Sequence, residues 1–204
     1  MTSIAGNSKR IGLALAVSAA LLALTLALLA PGSAPSAVAV GTDCGPHADD
    51  TPSEASGKQL RRALGCLINA ERAQRDRGRL RSNNDLTKLA QRHTKVMVSD
   101  DCFKHQCQGE RKLSERIESS GYLKSGGRYG YGEILGCATT PASMVDEWMH
   151  ANVAYHRKNI LGRQFRHFGI GGKKGSPFPR GGACSPGGDY MTYTVVFGWR
   201  KRGG

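Results

Sequence analysis

Two stretches in the first half of the chain carry apolar residues at helical spacing. Leu60, Leu64, Leu67 and Ile68 stand at i, i+4, i+7 and i+8, the stripe of a helix with one buried face. Ser56 and Gln59 form a capping box ahead of it, and Gly78 is its predicted stop. A second box, Ser82 to Asp85, predicts the start of the next helix. There Leu86, Leu89, Ala90, His93, Val96 and Met97 share a face, so His93 is expected inside, held by a backbone partner. Lys112 to Ser120 predicts a short helix ended by Gly121. Tyr129 and Tyr131 alternate as at a strand edge. Thr140 and Pro141 supply an N-cap and a first-turn proline for a helix to His150, with Ala142, Val145, Trp148 and Met149 on one face. A second short helix is expected to begin near His156, carry Ile160 and Leu161 inward and stop at Gly162. Phe165, Phe168 and Ile170 then read as a strand. The last element, Tyr190 to Trp199, is β-branched and aromatic throughout and predicts the central strand.

The N-terminal pattern is of another kind. Lys9 and Arg10 precede Ile11 to Ala30, twenty residues without a charge, and Ala37 and Ala39 follow. This is the order of a signal peptide, so residues 1–39 are expected to direct export with cleavage near Ala39. The same twenty residues are long enough to span a bilayer, and a retained anchor at 11–30 is the alternative. Either way the rest of the chain lies outside the cytoplasm, as a polar extended arm over 40–55 and one globular domain over 56–204.

Six cysteines, Cys44, Cys66, Cys102, Cys107, Cys137 and Cys184, all follow the leader. An even number in an exported chain points to three disulfides. Spacing favours Cys44 with Cys66, Cys102 with Cys107, and Cys137 with Cys184. A zinc site at Cys102, His105 and Cys107 is the competing reading, since thiolate and imidazole are good zinc ligands.

Charge adds a partner class. The net charge is +13, or +11 without Lys9 and Arg10, so an anionic envelope surface is an expected partner. The densest run, Arg72 to Arg81, contains no aromatic residue for base stacking. It reads as a solvated helix end and loop, and nucleic acid is not expected.

The chemistry is sparse. No phosphate-binding glycine loop and no HExxH are present, and no serine or cysteine has an identifiable base beside it. His105, Glu133 and His156 stand at junctions between loops and elements, where imidazole and carboxylate could hold a metal or move a proton. Each also has a plainer role: Glu133 as a cap or salt-bridge partner, His156 as the cap of its own helix. Trp148 and Trp199 read as core residues.

Several motifs in order carry a resemblance. They are LINAERAQR with LRSNNDL, LAQRHTKVMVSDDCFKH, YGEILG, the Trp148 to HRKNIL stretch, FRHFGIG and TYTVVFGWR. From about Leu60 to Trp199 the chain resembles the CAP superfamily of cysteine-rich secretory, antigen 5 and pathogenesis-related (SCP-like) proteins, in its small bacterial exported form. The resemblance implies an α+β fold, a three-layer α/β/α sandwich with a small, mostly antiparallel sheet. It implies a central cavity in which His105, Glu133 and His156 match the family's zinc or divalent-metal residues. Its fourth acidic position falls on Ala151, Ile134 replaces an asparagine, and the Trp-to-His segment is about two residues long beyond the usual bacterial form, which leaves Glu147 or His150 as stand-ins. The implied role is non-enzymatic: a secreted monomer binding a lipid, a sterol or a protein at the cell surface. Alternatives are a zinc-dependent hydrolase using His105, Glu133 and His156, and a basic adhesin for anionic wall polymers or nucleic acid.

Overall fold

The computed structural model describes residues 44–123, 127–178, 182 and 184–201. The chain divides into a unit of residues 1–36 and a unit of residues 37–204. The leader lies outside the described residues.

Among the described residues five helices and four strands follow in the order α1 Gly57–Ala73, β1 Arg81–Ser82, α2 Asn84–Ser99, α3 Leu113–Glu118, β2 Tyr129–Ala138, α4 Pro141–His150, α5 Ala154–Ile160, β3 His167–Lys174 and β4 Met191–Arg200. The sheet order is β1-β3-β4-β2, parallel between β1 and β3 and antiparallel elsewhere. β4 lies inside the sheet, as its unbroken β-forming composition predicts for a strand covered on both faces. Its side chains alternate between two layers. Met191, Tyr193, Val195 and Phe197 join α1, α4 and α5 in the larger core. Val196 joins Leu86, Leu89 and Ala90 of α2 and Ile117 of α3 in the smaller one. On that second face Thr94 donates to Ala90 O and pairs with Thr194 at 2.8 Å, which satisfies two buried hydroxyls. The result is the expected three-layer α/β/α sandwich.

The starts of the three longer helices, α1, α2 and α4, follow the sequence with one exception. Ser56 caps α1 through the predicted box with Gln59, and Thr140 caps α4, with Pro141 in its first turn. Met144 rather than Ala142 completes the buried face of α4. The exception is α2, whose cap is Asn83 and not Ser82. Asn83 Oδ1 accepts from the N–H groups of Asp85 and Leu86 at 3.0 and 3.1 Å. Ser82 is drawn instead into the two-residue β1, which is too short to leave a pattern in sequence.

Three other features differ from the expectation. α1 stops at Ala73, ahead of Gly78, because Asn69 grips both the N–H and the C=O of Leu80 and turns the chain back. α5 begins at Ala154, with Val153 ahead of it and no side-chain cap. From Cys44 onward the expected extended arm is a run of turns docked on the domain: Ala48 is buried, and its carbonyl accepts from Ala142 N at 2.9 Å.

All three favoured cysteine pairs are formed: Cys44–Cys66, Cys102–Cys107 and Cys137–Cys184. A disulfide between Cys102 and Cys107 leaves no thiolate there, so the zinc reading of that loop falls. The solvated reading of the arginine run fails at its first member. Arg72 is 1% exposed; it donates to Gly78 O, Ile160 O and Gly162 O and so ties α1 to the end of α5.

Candidate functional site

Three elements meet at the β2 edge of the sheet. Glu133 lies within β2 opposite Val196, which turns its side chain toward the layer of α2 and α3. His105 comes from the loop closed by the Cys102–Cys107 bond. Its Nδ1 donates to Glu133 Oε1 at 2.9 Å, while the ring stays 63% exposed. Arg116 from α3 donates through Nη2 to His105 O at 2.6 Å and to Glu133 Oε1 at 3.4 Å. The carboxylate, 1% exposed, is thus held between an imidazole and a guanidinium. Engaging Nδ1 fixes the ring so that Nε2 faces outward.

His156 approaches from α5. Its ring meets Trp148 edge to face at 6.5 Å, and Trp148 is anchored by donating Nε1–H to Leu135 O at 2.9 Å. Burial lowers the His156 ring below the ordinary histidine range, and the charge of His105 adds to the effect. The side chain does not cap its helix: His156 Nδ1 is buried without a partner, as is Glu133 Oε2.

These orphaned atoms are where a metal would be sought, yet the arrangement does not fit a three-ligand centre. Glu133 Oε1 is taken by His105 Nδ1, which makes the carboxylate an orienter of the ring and not its co-ligand. The Arg116 cation already sits beside it. Among the described residues no group of three or more His, Cys, Asp or Glu is placed to hold a metal ion. The stand-ins do not complete one: Glu147 is exposed, and His150 donates to Asp146 Oδ1 on its own helix.

Two functional partners escaped the sequence. Arg116 carries no local signal, because its partners are remote in the chain. Glu110 is the other. The fully buried His93 donates Nδ1–H to Glu110 Oε2 at 2.8 Å, in place of the expected backbone carbonyl. Glu110 also accepts from Cys107 N, so the pair pins the stapled loop that carries His105 to α2.

A feature of the surface marks this edge further. The exposed large hydrophobic side chains among the described residues are Tyr131, Val153 and Tyr155, at 39%, 47% and 73%. Tyr131 is two positions before Glu133, and Val153 and Tyr155 are three and one before His156.

A disulfide-stapled α/β/α sandwich with a buried glutamate held by an exposed histidine at one sheet edge has the architecture of a cysteine-rich SCP-type domain. The model of the cysteine-rich secretory protein family, CAP, matches residues 67–196, and the chain belongs to that family. It is 32% identical over 107 residues to the protein YkwD of Bacillus subtilis, covering 52% of this chain and 39% of that protein. An extracellular protein with an SCP domain from Bacillus anthracis has a TM-score of 0.52 at 21% identity, covering 72% of this chain and 44% of that one. An outer surface protein of Borrelia burgdorferi has a TM-score of 0.54 at 19% identity, covering 72% and 97%. These structures share the fold. The match takes in less than half the length of either Bacillus protein.

Proposed function

We propose that this chain is an exported, non-enzymatic binding module that acts at or outside the cell surface, and that the β2 edge receives an apolar or amphipathic ligand, a lipid, a sterol or an apolar face of a protein. One observation carries the reading: the exposed apolar side chains among the described residues, Tyr131, Val153 and Tyr155, sit on β2 and at the start of α5, the elements that carry Glu133 and His156. Exposed aromatic side chains beside a buried polar group suit a ligand with an apolar body and one polar end. Export is supported by the leader, the three disulfides and the extracellular and outer-surface descriptions of the similar structures. No helix among the described residues is long and apolar enough to cross a membrane.

The test is fluorescence titration of the full-length, oxidised protein with a fluorescent sterol and a fluorescent fatty acid. Saturable binding is expected, weakened about 10-fold or more in the Val153→Ser, Tyr155→Ser double variant. Binding indifferent to that double variant would move the ligand elsewhere. Zinc calorimetry beside His105→Ala and His156→Ala probes the hydrolase alternative, for which micromolar binding lost in both variants is the required result.

A further inference from the structure

The opposite edge of the sheet, at β1, holds a second feature that the site above does not use. Two adjoining cavities of about 550 and 320 Å³ share Arg61 and Thr87 and form one groove between α1 and α2. From α1 the groove takes Lys58, Arg61 and Arg62, at i, i+3 and i+4. The approach to β1 adds Arg79 and Arg81. From α2 come Lys88, Arg92 and Lys95, at i, i+4 and i+7, a row about 10 Å long. No Asp or Glu lines either cavity. Among the described residues none of these eight cations forms an ion pair.

Such a surface is self-repelling, and two rows of cations lining one groove cost stability unless an anion lies between them. Ser82, Asn84 and Thr87 add hydroxyl and amide groups along the floor. The half-buried Arg61 guanidinium is destabilised first by desolvation, which a bound anion would offset. A single phosphate is shorter than the row of Lys88, Arg92 and Lys95, about 10 Å, whereas a chain of phosphates spans it. Nucleic acid fits less well. The aromatic residue in the lining, Phe168, is buried, so bases have no face on which to stack. A membrane surface also fits less well, because Leu80 and Ile170 on the floor are buried and the protruding apolar side chains are at the other edge.

We infer that the groove between α1 and α2 binds a linear polyanion with repeated phosphate groups and no bases, independently of the β2-edge site. The test is calorimetry of the full-length, oxidised protein with long-chain inorganic polyphosphate, inorganic phosphate, single-stranded DNA of matched charge and anionic phospholipid vesicles. Polyphosphate is expected to bind with a Kd of about 1–10 μM at low salt and to weaken about 100-fold or more between roughly 50 and 200 mM salt, with DNA no tighter. Arg62→Glu, Lys88→Glu and Arg92→Glu together, all exposed, are expected to weaken polyphosphate on the order of 100-fold and flatten its salt dependence. Arg157→Glu, Lys158→Glu and Arg163→Glu together make the same change of charge elsewhere and are expected to retain binding. Circular dichroism checks that both variants fold. Equal loss in the two variants would reduce the effect to net charge and overturn the inference. Tighter binding to DNA, binding to vesicles alone, or saturation by inorganic phosphate at the same concentration would each overturn it as well.

Discussion

Arg72 shows how far a charge can travel from what its neighbours suggest. It opens a run of five arginines, at 72, 75, 77, 79 and 81, whose composition describes a wet surface. Only the fold brings Ile160 O and Gly162 O to its guanidinium, from about ninety residues away in sequence. Those carbonyls end α5, where the last C=O groups of a helix lack partners, and a buried cation suits the negative end of the helix dipole. Arg72→Met keeps the volume and strands three acceptors, so we expect it to cost about 3 kcal/mol in urea unfolding. Arg79→Met, in the same run but exposed, is expected to change stability by less than about 0.5 kcal/mol. Equal costs at the two positions would mean that the Arg72 contacts contribute nothing.

At the scale of elements, close approach decides the layering. α2 lies on β3 where the strand reads HFGIGG, and a Cβ on Gly169 would sit within the backbone of Leu86 and Thr87, while one on Gly171 would strike Ala90. The glycines therefore bring α2 down onto the strand; their role is access and not turn formation. Gly171→Ala is expected to destabilise the protein by about 2 kcal/mol or more, since helix backbone must move to admit one methyl group. Gly78→Ala meets open space and serves as the control, within about 0.5 kcal/mol in the same thermal melts. The same elements show what a sequence can display. Helices α1 and α4 were legible because their apolar spacing and caps are local, α2 through its spacing and β4 through its composition. The short β1, the early end of α1 and the partner of His93 were not, because Phe168, Leu80 and Glu110 fix them through tertiary contacts. In the site, His105 and Glu133 could be named from motifs, but Arg116, which decides how that carboxylate is used, could not.

Across the whole molecule, the titration of two histidines, His156 on α5 and His167 on β3, bears on stability. Burial lowers His156, with His105 adding to it, and burial also lowers His167, with Arg200, Arg81 and Arg166 adding to it. In the unfolded chain both rings titrate near pH 6.5, so between that value and their lower folded values the unfolded state binds more protons. Stability is therefore fully present above about pH 6.5 and is lost as pH falls through the folded values. Carboxylates act in a more acid window: Lys174 and Ser53 hold Asp189 well below the usual carboxylate range, so its contribution persists until the pH falls below the ordinary carboxylate values. The two groups of residues can thus be separated by pH. We expect the urea midpoint of the full-length protein to fall between about pH 7.5 and pH 5. His156→Gln should flatten that fall, and adding His167→Gln, which keeps an amide beside the Tyr122 hydroxyl now 2.9 Å from His167 Nδ1, should flatten it further. A slope unchanged in both variants would show that neither ring loses its hydration on folding.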